Sequence, residues 1–261
     1  MSALISLNEF PVRIQVCPHT VDHHWVIKVA VQDGQVDAVH DLLDGIFGQF
    51  VTANRFGMLL GTSNASRSAS GANYAIEIST QNVLQITLDI SGMDYRGIRV
   101  LVGMIRGEPS IDSQIGEIIV ETNADMSLQE TLRIVNERDI DLPNLRYETY
   151  SFDLQQDQEG RANIDRLVRV KLKDRPSKSA ILSLMEIYDS WLRLCKGGFA
   201  NSGYKAYERF VSGGKSYMIS PVIFEMPIDT FDNDESCFDP LLCGLNYFAI
   251  RTQAISSVHI Y

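Results

Sequence analysis

The chain has 261 residues, 45% of them hydrophobic and 21% charged, with 23 basic against 33 acidic side chains and a formal charge of −10. That length and apolar content fit one large or two small domains with a real core. The acidic balance repels phosphate backbones and makes nucleic acid an unlikely partner class. No run of about 18 apolar residues marks a membrane span. The first ten residues lack the basic and apolar regions of a signal peptide. The four cysteines, Cys17, Cys195, Cys237 and Cys243, fit no C-x-x-C spacing. Reduced thiols and a soluble, cytoplasmic protein are therefore expected.

In chain order, Phe10 to Val16 alternates as a strand, and Trp25 to Val31 as a second. Asp33 is then a plausible helix cap. Val36, Val39, Leu42, Leu43, Ile46, Phe47 and Phe50 place one apolar stripe on a helix. The stretch 61–72 is rich in Gly, Ser, Asn and Ala and reads as an exposed loop. Tyr74–Ile78 and Val83–Leu88 form a hairpin around Thr80, Gln81 and Asn82. Ile98, Leu101, Val102 and Ile105 predict a second helix, ended by Gly107 and Pro109, and Ile115–Val120 predicts a strand. Ser127 and Glu130 form a capping box for a connecting helix that Pro143 ends.

The order then repeats. Strands are expected at Tyr147–Leu154 and Leu167–Leu172, followed by a helix capped by Ser177 with a stripe from Ile181 to Cys195. Two strands, Tyr204–Val211 and Tyr217–Met226, joined at Gly213 and Gly214, come next. A weak helix at Pro240–Phe248 and a strand at Ile255–Tyr261 complete the series. The expected fold is α+β: two tandem ferredoxin-like βαββαβ halves with antiparallel sheets, each with an extra N-terminal strand. The first half covers residues 1–122, the connecting helix and linker 123–145, and the second half 146–261.

Candidate chemistry is sparse. Cys17, His19, His23 and His24 place four metal-ligand types within eight positions. His23 and His24 are adjacent, however, and would point to opposite faces of a strand. Asp229, Asp232, Asp234, Glu235 and Asp239 form an acidic tract. It fails the calcium-loop pattern, so it reads as a solvated loop or a contact for a basic protein. Arg67, in the Ser/Gly loop, and Arg169, Lys171 and Lys173, on one strand face, are the candidate anion contacts. His259 reads as a surface or edge-strand histidine. No nucleophile elbow or phosphate loop is present in the sequence, and no cofactor is expected.

These features imply a non-enzymatic protein that binds another macromolecule, in the manner of an acidic immunity-type or inhibitor protein acting on a basic partner. The competing expectation is an enzyme or small-molecule-binding protein with its site in the cleft between the halves.

Overall fold

The computed structural model describes residues 10–16, 24–59, 71–90, 95–111, 113–122, 149–157, 165–195, 211–230 and 235–261. The capping box at Ser127 lies outside them, as does the expected strand Tyr204–Val211 except for its last residue. In the first half, β1 (Val12–Val16), β2 (His24–Val31), α1 (Val36–Arg55), β3 (Asn73–Thr80), β4 (Val83–Asp89), α2 (Tyr95–Arg106) and β5 (Ile115–Thr122) follow in order. The second half has β6 (Asp153–Gln156), β7 (Asp165–Leu172), α3 (Lys178–Leu194), β8 (Ser212–Gly213), β9 (Tyr217–Ser220), β10 (Ile223–Asp229), α4 (Asp239–Thr252) and β11 (Ile255–Ile260).

The first sheet runs β1-β5-β2-β4-β3, and the second β6-β11-β7-β10, with β8 and β9 both on β10. With β8 and β9 together in the place of β3, the two orders match, so the chain is two similar α+β halves. The pairing is not antiparallel throughout, as the sequence had predicted. β1 lies parallel to β5, and β6 parallel to β11. The cause is geometric. The chain reverses between β1 and β2 but leaves a one-strand gap, which β5 fills antiparallel to β2 and hence parallel to β1.

Period-two alternation places the core. Trp25, Ile27 and Val29 of β2 are buried, as are Val168 and Val170 of β7 and Leu84, Ile86 and Leu88 of β4. Each sheet rests this face on helices. Helix α1 buries Val39, Leu43, Ile46, Phe47 and Phe50, the stripe read from the sequence. It runs on to Arg55, and Gly57, with φ of 69°, lets the chain leave it. The cap is Gln35 with no side-chain bond, whereas Asp33 accepts from Asn82. At α3 the expected cap holds: the Ala180 amide donates to Ser177 Oγ at 3.2 Å. The expected strand Tyr217–Met226 is instead a hairpin. Pro221, which has no N–H to give a ladder, sits in the turn between β9 and β10.

The halves meet helix to helix, α1 against α3. Gly244 of α4 sits so close to Met58 and Ile187 that an added Cβ would stand 2.8 Å from Met58 Cε. Phe56 and Tyr247 meet edge to face at 6.5 Å. Arg193 of α3 donates to Gln49 Oε1 of α1 at 2.6 Å and to the Glu108 carboxylate just after α2. Burial alone would raise the pKa of Glu108, but bonds from Arg193 and Ser110 outweigh it and hold the group below its ordinary 4.5. A lowered carboxylate pKa gives stability that is fully present above about pH 4.5 and fades as pH falls through the folded value. Thermal unfolding followed from neutrality down to about pH 3 should therefore show a steeper acid loss for the parent than for Glu108→Gln. Equal slopes would remove this carboxylate from the acid response.

Candidate functional site

The strand register decides which side chains share the solvent face of the second sheet. Gln155, His259, Arg169, Glu225 and Tyr217 stand in one row across β6, β11, β7, β10 and β9. Arg169 Nε donates to Glu225 Oε1 at 2.8 Å, and the Tyr217 hydroxyl donates to Glu225 Oε2 at 3.3 Å. Glu225 is only 5% exposed although it lies on the sheet's outer side. The Arg169 guanidinium also lies 5.0 Å from the centre of the Tyr261 ring, which contacts His259 at 4.7 Å. His259 Nε2 in turn reaches Asp157 Oδ1 at 3.2 Å. Burial, with the nearby Glu225 carboxylate, raises the Tyr261 pKa against the opposing pull of Arg169.

The same register applied to the first half gives the matching row Arg13, Ile119, Lys28, Gln85 and Glu77. There the polar contacts are simple ion pairs, Arg13 with Glu117 and Lys28 with Glu121 at 2.6 Å. Where the first half carries Ile119, Gln85 and Glu121, the second carries His259, Glu225 and Tyr261. A second difference lies at the strand ends. Asp89 opposes His24 in the first sheet, whereas Asp229 opposes Asp165 in the second.

The sequence candidates distribute unevenly. Arg169 is committed to Glu225, and Lys171 and Lys173 remain exposed on the same strand line. Asp229 ends β10 half-buried, and Asp239 is buried in the first turn of α4. Asp232 and Asp234 lie outside the described residues, as do Cys17, His19, His23 and Arg67; Glu235 opens a short 3-10 turn, and His24 begins β2. Among the described residues no three His, Cys, Asp or Glu side chains come together as a metal site. His259 is on an interior strand, between β6 and β7, and not at an edge. The reason is that β6, the extra strand, covers the edge β11 would otherwise present. Cys195, Cys237 and Cys243 are buried thiols, and burial pushes that of Cys243 up to about 12. Such thiols are poor nucleophiles at neutral pH.

Glu225, Tyr217 and Tyr261 were not among the sequence candidates. The available signal was a lone carboxylate at an alternating position in the apolar run Ile223–Ile228. Only the register places it beside Arg169.

No family model matches the sequence, and no curated protein matches it. Among solved structures, the crystal structure of pitrilysin aligns with 87% of this chain at a TM-score of 0.24 and 10% identity. The first half of the periplasmic protease PqqL from Escherichia coli aligns with 87% of this chain and 69% of its own, at a TM-score of 0.21 and 9% identity. The chain spans 32% of the pitrilysin chain. Similarity at those scores does not extend to activity or site residues. No helix among the described residues is long and apolar enough to cross a membrane.

Proposed function

We propose that the chain is a non-enzymatic cytoplasmic protein that binds another macromolecule, of the immunity or inhibitor type acting on a basic partner. It would be built from ferredoxin-like units at 1–122 and 146–261, each with an extra first strand, joined by 123–145. The strand order β5-β2-β4-β3 and its counterpart β11-β7-β10-β9 support that unit.

The observation that carries the functional reading is the acidic tract that begins with Asp229 at the end of β10, in a chain of formal charge −10. A cationic partner would associate faster with such a surface at low salt. The competing reading, a catalytic or small-molecule site in the cleft between the halves, has less support. The described seam is filled by Met58, Ile187 and Gly244 and bridged by Arg193.

The test is capture by the immobilised full chain from native lysate at low salt, beside a variant carrying Asp229→Asn, Asp232→Asn and Asp234→Asn. A stoichiometric basic protein is expected, released by salt and retained about tenfold less by the variant. Retention that ignores the three substitutions would sink the assignment of the tract.

A further inference from the structure

The outer faces of the two sheets differ in what they expose. On the first, Val26, Val83 and Ile119 are half-buried among Lys28, Gln85, Glu117 and Glu121. On the second, Tyr217 and Ile219 are 47% and 44% exposed beside the half-buried Leu167, Ile223 and Pro227. These apolar groups surround the Arg169–Glu225 pair. Exposed Tyr and aliphatic side chains around a shielded arginine–carboxylate pair are the make-up of an interface centre. A solvated sheet face does not need them.

Charge is graded along the strands of that face. Lys171 and Lys173 are exposed where β7 ends. Asp157 and Asp229 sit at the opposite end, where β7 begins, and the Asp165 position lies there too. Asp153, on the outer strand β6, is an exception near the basic end, and Arg166, which donates to the Asp157 carbonyl at 3.3 Å, is one at the acidic end. A two-fold axis in the plane of the face and perpendicular to the strands lays one copy's basic end on the other's acidic end. It also brings Tyr217 and Ile219 of one copy against the β9 strand of the other. We infer that the outer face of the second sheet pairs with the same face of a second copy of this chain, strands antiparallel, with Lys171 and Lys173 of each copy against Asp157 of the other.

The area is that of a weak pair. The five strands of the face hold 29 residues, which at about 4.8 Å by 3.3 Å each give about 460 Å² per copy. The pair would bury about 920 Å², at the low end for protein contacts, so the dimer is weak, reversible and salt-sensitive. The inference stands apart from the proposed basic partner. Sizing reads the dimer and capture reads the partner, so either result can fail alone.

The experiment is sedimentation velocity of the full chain from about 1 to about 200 µM at low salt, a range that brackets a micromolar dissociation constant. A monomer–dimer equilibrium is expected. Tyr217→Ala with Ile219→Ser should raise the dissociation constant at least about tenfold. Lys171→Glu with Lys173→Glu should leave a monomer, as should Asp157→Lys. Mixing those two charge variants should restore dimers, because the acidic side chains introduced on one then face the lysine introduced on the other, while Asp157 of the first still faces Lys171 and Lys173 of the second. The substituted groups are exposed, and an unchanged circular dichroism spectrum and thermal midpoint confirm the fold of each variant. A parent that stays monomeric over the whole range overturns the inference, even if the face then binds a different protein. So does a dimer that ignores the Tyr217 and Ile219 substitutions, or charge variants that fail to associate on mixing.

Discussion

Trp191→Ala lowers the unfolding free energy by about 3–5 kcal/mol, the range for removing a fully buried aromatic side chain. Trp191 stands on α3 with no solvent exposure. Its indole N–H donates to the Cys237 carbonyl at 2.8 Å, tying the helix to the segment that leads into α4. Its ring stacks on Phe238 at 5.7 Å and leans on Tyr188 at 6.2 Å. Truncation leaves a cavity and takes the indole donor from a buried carbonyl. Urea unfolding should show a lower midpoint with little change in slope. Trp191→Phe keeps most of the packing and loses the donor, so it should cost about 1–3 kcal/mol. Since Trp25 is the only other tryptophan, it remains as the fluorescence reporter in both variants. A Trp191→Ala midpoint equal to the parent's would mean that α3 is not anchored through this residue.

Gly213→Val comes next, at about 3 kcal/mol, which combines overpacking with the disturbance of a buried hydrogen bond. A Cβ at Gly213 would stand 1.9 Å from Tyr188 Oη and 2.9 Å from the Pro227 carbonyl oxygen. The first could swing aside, but the second is backbone of β10 and has nowhere to go. The Tyr188 hydroxyl donates to that same Pro227 carbonyl and lies 3.1 Å from the carbonyl of Gly214. Burial also drives its ionisation well above the ordinary tyrosine value. Any side chain at Gly213 therefore separates β8 from β10 or displaces the tyrosine. Gly214→Ala is the control. Its Cβ would meet only the Pro227 ring, nearest at 3.2 Å, and a small shift of that ring accommodates it. Comparable losses from Gly213→Val and Gly214→Ala, read as urea midpoints, would show that close approach at Gly213 is not the cause.

The elements with strong periodicity were legible before any coordinates. The stripe from Val39 to Phe50, the alternation in β2 and β7 and the serine cap of α3 each follow from local chemistry. Two kinds of feature were not. Helix α4 read as weak because ten of its residues are buried, so apolar side chains surround it and no polar face gives a period. The site residues depended on pairing between distant strands. Arg169 was visible as one of three basic residues on a strand face, yet its ion-pair partner lies on β10, and its ring partner, Tyr261, follows β11. Alternation says which face a residue takes; it does not say which strand lies alongside. The parallel placement of β1 and β6 escaped for the same reason.

That placement also governs the order in which the molecule can be made. Val12 lies opposite Ile118, and Asp153 opposite Ser257, so the first strand of each half is held by the last. Until that last strand arrives, the central strand keeps one edge unsatisfied and the leading strand has nowhere to dock. Such late, long-range closure slows folding and prolongs the exposure of open sheet edges. The first half can close once β5 has been synthesised, well before β11 exists. It then presents α1 as a finished surface against which α3 can settle. Assembly in the direction of translation is thus built into the strand order, and each half has a period of vulnerability that ends only with its final strand.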